Sequence, residues 1–321
     1  MTQPDRSPNT FSRRRALQGA AAAATLGPHP AFADPGVLNF LAIGDWGRDG
    51  GAHQRDVAKA MGLRAKADAA RFVLTVGDNF YPSGVQSATD PQWRISFEAV
   101  YDAPSLQVPW YACLGNHDYR GKPDAQITYA KTSPRWRMPS RYYRQRATTP
   151  AGQAVDLFII DTSPLVASQA ESGEDAVAKG KVTDQGISAQ KAWLAAELAR
   201  SDVPWKLVFG HHPVFSGGYH GDTKVLKTWL KPLLERHGVQ AYVCGHDHDL
   251  QHIASGPVTY VLTGAGSETR PVRRIKGTQF CSARPGFTAY RLAGDLLSVD
   301  FVDFTGVVLH TAQIRRRPSA A

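Results

Sequence analysis

The chain has 321 residues, 42% of them hydrophobic and 20% charged, with a net charge of +9. Its length allows one large domain or two, and its composition is ordinary for a globular protein without internal repeats. The moderate basicity suits an anionic substrate, and the lack of a dense Lys/Arg block with interleaved aromatics argues against nucleic acid as a partner.

Residues 1–33 read as an export signal, not as fold. Ser12-Arg13-Arg14-Arg15 is followed by the alanine run Ala20 to Ala24 and by Ala31-Phe32-Ala33. These form a charged segment, a weakly apolar segment and a small-residue cleavage site in order. The apolar part is too short to span a bilayer, and a twin arginine after a serine is the pattern of a Tat signal. The expectation is a periplasmic or secreted protein with one domain over 34–321 and no stable membrane span after cleavage.

Short apolar runs then recur at 38–43, 72–76, 110–114, 155–160, 205–209, 241–244 and 259–263. They are continuous, as in strands buried on both faces. Helical patterns lie between several of them. One opens at Ser188 as N-cap and runs to Arg200, and another covers 224–237 with Gly238 as its stop. Residues 168–186 are small, charged or glycine without apolar periodicity and read as a mobile surface loop. The stretches 287–292, 297–302 and 307–314 read as a β meander. The fold class is α/β: one domain of two packed mixed sheets with helices outside, four layers in all. Of three cysteines, Cys113 and Cys244 end apolar runs and read as small buried hydrophobes, while Cys281 lies in a polar stretch. At most one intrachain disulfide can form.

Five short motifs each follow a predicted strand and each begin with glycine: Gly44-Asp45-Trp46-Gly47, Gly77-Asp78-Asn79-Phe80-Tyr81, Gly115-Asn116-His117-Asp118, Gly210-His211-His212-Pro213 and Gly245-His246-Asp247-His248. The crevice beyond the carboxyl ends of strands is where α/β sheets bind ligands, and glycine lets the backbone turn sharply there. Asp45, Asp78, Asn116, His211, His246 and His248 offer oxygen and imidazole donors and no thiolate, so soft-metal sites are not expected. They are too many for one tetrahedral zinc. Six or seven donors suit two ions about 3.5–4 Å apart, the arrangement for in-line displacement at phosphorus. Asp78 is the natural bridge. A Gly-Asp after a strand is commonplace as a turn, and Gly-Asn-His-Asp or Gly-His-x-His alone is moderately specific; the ordered set of five is hard to produce by chance.

With these residues the chain resembles the calcineurin-like metallophosphoesterases and, more narrowly, the small tartrate-resistant type of purple acid phosphatase. The likeness covers about 38 to 252 and is looser after Gly264, where the meander would belong to the second sheet. It implies that Asp45, Asp78, Tyr81 and His248 hold a ferric ion. Asp78 would bridge to a divalent ion, iron(II), zinc or manganese, held by Asn116, His211 and His246. His117 would bind phosphate and assist proton transfer, and His220 would lie near the leaving group. His212 departs from the mammalian pattern, where an aromatic usually follows the ligand histidine. Asp118 and Asp247 are expected to steady the histidines and turns, Trp46 to form wall, and His252 to be structural or at the rim. A loop over the site in mammalian members corresponds to 168–186, here read as a flap.

The implied activity is that of an acid phosphatase acting on small phosphate monoesters by direct attack of a metal-bound hydroxide, with His117 or His220 as general acid. Three rivals are a phosphodiesterase or nucleotide hydrolase on the same dimetal site, an iron-dependent redox protein, and a catalytically inactive binding module, the last disfavoured because no donor position is missing. Tyr81 carries the case for iron. A free phenol has a pKa near 10, so only a strongly Lewis-acidic ion holds it as phenolate at low pH.

Overall fold

Along the strand Ala154–Ile159 successive side chains enter two different hydrophobic cores. Leu157 and Ile159 pack into one, Phe158 into the other. Tyr242 and Val243 divide in the same way, as do Tyr260 and Val261. A strand apolar on both faces must lie between two layers, and the layers here are a second sheet on one side and helices on the other.

The computed structural model describes Met1 and residues 36–170, 172–181 and 183–316. The export-signal reading therefore falls, Met1 apart, outside the described residues. The strands are β1 Leu38–Ile43, β2 Val73–Thr75, β3 Trp110–Ala112, β4 Trp136–Arg137, β5 Tyr143–Thr148, β6 Ala154–Ile159, β7 Trp205–Phe209, β8 Ala241–Cys244, β9 Leu250–Ser255, β10 Val258–Thr263, β11 Thr278–Ser282, β12 Gly286–Ala293, β13 Leu296–Asp303 and β14 Val308–Arg315. The α-helices are α1 Gln54–Asp68, α2 Asp124–Tyr129, α3 Ser163–Ala167, α4 Asp184–Arg200 and α5 Lys224–Arg236.

Two mixed sheets of seven strands result, ordered β14-β13-β12-β1-β2-β3-β4 and β11-β9-β10-β8-β7-β6-β5. Leu41, Val73 and Phe287 from the first sheet and Leu157, Val243 and Val261 from the second belong to one core. On the outer side of the second sheet, Leu194 and Leu198 of α4 and Leu226, Leu230 and Leu234 of α5 form the other core with Phe158, Val208 and Tyr260. Val57 and Met61 of α1 are buried with the first sheet. This is the expected four-layer α/β arrangement, two packed mixed sheets with helices outside.

Several readings need correction. The meander belongs to the sheet that contains β1: β12 pairs antiparallel with β1, Leu38 opposite Leu292 and Phe40 opposite Tyr290. Phe40 stacks on Tyr290 at 4.5 Å and on Phe72 at 4.8 Å, which ties β1, β12 and the approach to β2. The segment 168–186 is not loop throughout. It holds a 3₁₀ turn, Glu174–Ala178, and its end is already helix. Helix α4 is capped by Thr183, whose hydroxyl accepts from the Gly186 N–H at 3.1 Å, so Ser188 is not the N-cap. The mixed run of glycine and polar residues hid that first turn. Strand β5 was missed because its buried partnership is ionic: Arg144 and Arg146 reach Asp156 on β6 at 2.9 and 2.8 Å. Such a run of arginines shows no apolar period. Helix α5 stops as read, with His237 as C-cap and Gly238 at φ 64°. Cys113 and Cys244 are buried, Cys281 is partly buried, and all three are free thiols. No helix among the described residues is long and apolar enough to cross a membrane.

Candidate metal centre

Parallel strands present their carboxyl ends on one side. In the first sheet β1, β2 and β3 lie side by side and parallel, and Asp45, Asp78 and Asn116 follow them within a few residues. In the second, β7 and β8 are parallel neighbours, followed by His211 and by His246 and His248. Two backbone-anchored contacts join the halves. The Gly44 N–H donates to the Thr263 carbonyl at 2.8 Å, and His211 Nδ1–H donates to the Val76 carbonyl at 2.9 Å, which leaves Nε2 facing the site.

All seven expected donors are brought together and all are buried. The Tyr81 hydroxyl lies 3.0 Å from Asp45 Oδ1, from Asp78 Oδ2 and from His248 Nε2. Beside this group, Asn116 Oδ1 lies 3.0 Å from both His211 Nε2 and His246 Nδ1, which are 3.2 Å from each other. Asp78 Oδ2 is 3.4 Å from His211 Nε2. It therefore faces both groups.

The charge state shows what this cluster fits. Burial pushes Asp45 well above the usual carboxylate range, with repulsion from Asp78 adding to it. Burial also works against Asp78, but the charge and hydrogen bond of His211 outweigh it and hold Asp78 well below that range. For His211 burial opposes the cation, yet Asp78 and then Asp45 overcome it and push the imidazole up to about 10. Burial pushes His248 down to about 3, with Arg270 next. Tyr81 is pushed up by burial, then by Asp45 and Asp78, so its phenol keeps the proton beside the bare carboxylates. Buried carboxylates crowded in this way are offset by hard or borderline cations. The donor set of carboxylate, phenol, amide and imidazole fits such ions.

His117 packs against the donor group, its ring 4.4 Å from that of Tyr81. Its backbone N–H donates to Asp78 Oδ1 at 2.7 Å, and its Nδ1–H donates to the Pro82 carbonyl at 2.7 Å. Nε2 is therefore turned inward, 4.0 Å from Asp78 Oδ2. The His220 ring lies 4.1 Å from that of His246, and its Nε2 accepts from Arg270 at 3.0 Å. His212 clusters with His211 and His246, with Nδ1 2.8 Å from the Thr162 hydroxyl.

The calcineurin-like phosphoesterase family model matches residues 38–250. This chain belongs to that family. Purple acid phosphatase 4 of Arabidopsis thaliana is 37% identical over 292 residues, which cover 86% of this chain and 83% of the plant protein. Tartrate-resistant acid phosphatase type 5 of Homo sapiens is 34% identical over 313 residues, 90% of this chain and 94% of the human one. The solved structure of GAP50, described as the anchor in the inner membrane complex of Plasmodium, has a TM-score of 0.78 at 25% identity, covering 88% of this chain and 90% of its own. Within the family the chain groups with the purple acid phosphatases, and it is a hydrolytic enzyme of the dimetal acid phosphatase class.

The phosphatase motifs are steadied as their acidic neighbours led one to expect. Asp118 accepts from the N–H groups of Gly115 at 2.9 Å and Asn79 at 3.2 Å, and from Gln126 at 2.8 Å. Asp247 accepts from the His220 N–H at 2.7 Å and from the Ser216 hydroxyl. Trp46 is wall: its indole N–H donates to Thr75 at 2.8 Å and its ring packs among Phe80, Tyr101 and Trp110. His252 pairs instead with His310, 3.0 Å away.

Three residues near the phosphatase site escaped the sequence reading. The Arg48 guanidinium lies 3.8 Å above the Tyr81 ring, Arg270 meets His220, and Glu174 is 3.9 Å from both His117 and His220. Only Arg48 had a signal: it stands three residues after Asp45, the same step that separates Tyr81 from Asp78.

The glycine argument also changes. Asp45, Asp78 and His246 themselves adopt left-handed φ of 59°, 49° and 69°, at a cost of about 1 kcal/mol or more each. Of the five motif-opening glycines only Gly77 joins them, at 94°. Gly115 is required for space: a Cβ there would land on the Asp78 carboxylate. Gly115→Ala should therefore lower metal affinity by about 10- to 100-fold, as displaced ligand supports do, with far-UV circular dichroism unchanged. Equilibrium dialysis against zinc reads it; wild-type affinity in the variant would refute the steric role.

Proposed function

We propose that this phosphatase hydrolyses small phosphate monoesters by direct in-line attack of water, with no phosphoenzyme. The reading rests on one observation above all: Asp78 faces two donor groups at once, Tyr81 with Asp45 and His248 on one side, Asn116 with His211 and His246 on the other. Asp45, Asp78, Tyr81 and His248 would hold a ferric ion, and Asp78, Asn116, His211 and His246 a divalent one, iron, zinc or manganese. When bound, such a pair supplies Lewis acidity that neutralises phosphate oxygens and lowers the pKa of water.

The chain's own residues do the rest. The Nδ1–H bond to Pro82 fixes the His117 ring, so its Nε2 holds or delivers a proton inside the pocket. His220 has Nε2 engaged by Arg270, which makes it the substrate-orienting histidine and His117 the proton donor to the leaving oxygen. Arg48 and Arg270 give the rim a positive face toward a phosphate dianion. The complete donor set separates this reading from that of a binding scaffold on the same fold.

We also propose export through the twin-arginine signal; protein recovered outside the cytoplasm should begin near Asp34, and recovery of an intact N-terminus would count against cleavage. His117→Ala should lower kcat on an alkyl phosphate by about 10²–10⁴-fold, but less on p-nitrophenyl phosphate, whose leaving group needs no proton. Equal losses on both would remove the proton-donor role, and retention of configuration at phosphorus would overturn direct attack. Tyr81→Phe should bleach or strongly shift the visible band of the iron-loaded protein. An untouched band would leave Tyr81 out of the ligand set and weaken the case for iron.

A further inference from the structure

Helix α1 packs beside the 3₁₀ turn Pro104–Leu106, and a cleft of about 780 Å³ opens between them. It shares no residue with the metal centre. Its walls are small and apolar: Ala58, Gly62, Val100 and Ala103 leave the space, and Leu63 stands at its edge, 65% exposed. The close approach is built in. The Ser105 hydroxyl donates to the Gly62 carbonyl at 2.6 Å, and a Cβ on Gly62 would come within 2.8 Å of that of Ala103.

The rim is cationic. Arg55, Lys59 and Lys66 line the cleft at positions i, i+4 and i+11, one face of the helix. None of the three has an ion-pair partner among the described residues. Arg64 on the same helix differs, being held by Asp68 at 2.5 Å and Asp300 at 2.7 Å. The one carboxylate that lines the cleft is Asp102. An apolar trough with three uncommitted cations along one wall is complementary to a molecule with an apolar body and an anionic end. Its volume lies within the range of about 300–1,000 Å³ for small-molecule sites. Twelve lining residues are fewer than the roughly 20–30 per side of a stable protein interface. We propose that this cleft binds a single-chain anionic amphiphile, its alkyl chain against Ala58, Gly62 and Val100 and its anionic head among Arg55, Lys59 and Lys66.

Isothermal titration of the metal-loaded protein with dodecanoate, kept below micelle formation, tests this. Saturable binding of one dodecanoate per chain is expected, with Kd on the order of micromolar. The doubly substituted Lys59→Glu/Lys66→Glu protein should bind at least about tenfold more weakly. A Lys131→Glu/Lys224→Glu protein, with the same net charge change at exposed sites outside the cleft, should bind as the wild type does. Ala99→Trp, at an exposed lining position, should block the cleft without disturbing the core. All three variants should keep wild-type phosphatase activity, which reports an intact fold and keeps this test independent of the phosphatase reading. Absence of saturable binding overturns the proposal. Equal affinity for dodecanol, equal weakening in the control protein, or unchanged affinity in both Lys59→Glu/Lys66→Glu and Ala99→Trp also overturns it.

Discussion

Asp45 and Asp78 are wholly buried carboxylates that meet at one phenol hydroxyl, 3.0 Å from each. Two like charges this near repel by about 4 kcal/mol even at an effective dielectric of 20, and burial adds desolvation to that. The surroundings divide the burden unequally. Asp78 receives the His117 N–H at 2.7 Å and a charged His211 beside it, while Asp45 is pushed toward its neutral form by burial. Of the two, Asp78 is the carboxylate held below the usual range, and by its distances it is also the one that faces both donor groups. A multivalent ion would offset several of these buried donors at once.

No single sheet carries the centre. The first supplies Asp45, Asp78, Tyr81 and Asn116, the second His211, His246 and His248. Either half alone would hold an incomplete set, so the apolar core between the sheets is also the frame that sets the donor spacing. The left-handed backbone at Asp45, Asp78 and His246 is sustained by this packing. Strain of that kind persists only where the surroundings over-determine the conformation. Function then lives in the site and not in the layers, since the same fold also serves as the Plasmodium anchor.

Around this rigid centre the rim comes from loops. Arg48 follows β1, Arg270 follows β10, and Glu174 comes from the 3₁₀ turn between α3 and α4. Arg48 and Arg270 bring positive charge, whereas Glu174 sets a carboxylate 3.9 Å from His117 and His220, opposite in sign to a field that attracts phosphate. On the proposed reading these residues would tune the approach of an anion.

The sequence by itself determined the donor chemistry and its order along the chain. Glycine-led motifs after continuous apolar runs are local signals, and local signals survive in one dimension. Most strand cores and both packed sheets could be read for that reason, whereas the place of Tyr81, three residues after Asp78, came from the family resemblance. Only the tertiary structure decided how the meander joins β1, how Arg144 and Arg146 make β5 a strand through Asp156, and which ring nitrogens face the site. It also revealed that the donor residues Asp45, Asp78 and His246, more than the glycines before them, take the left-handed turn. Partners such as Arg270 and His220, or Arg48 and Tyr81, are distant or unpatterned in the chain. Their contact depends on where the loops return over the sheet ends, and no residue-type periodicity records that.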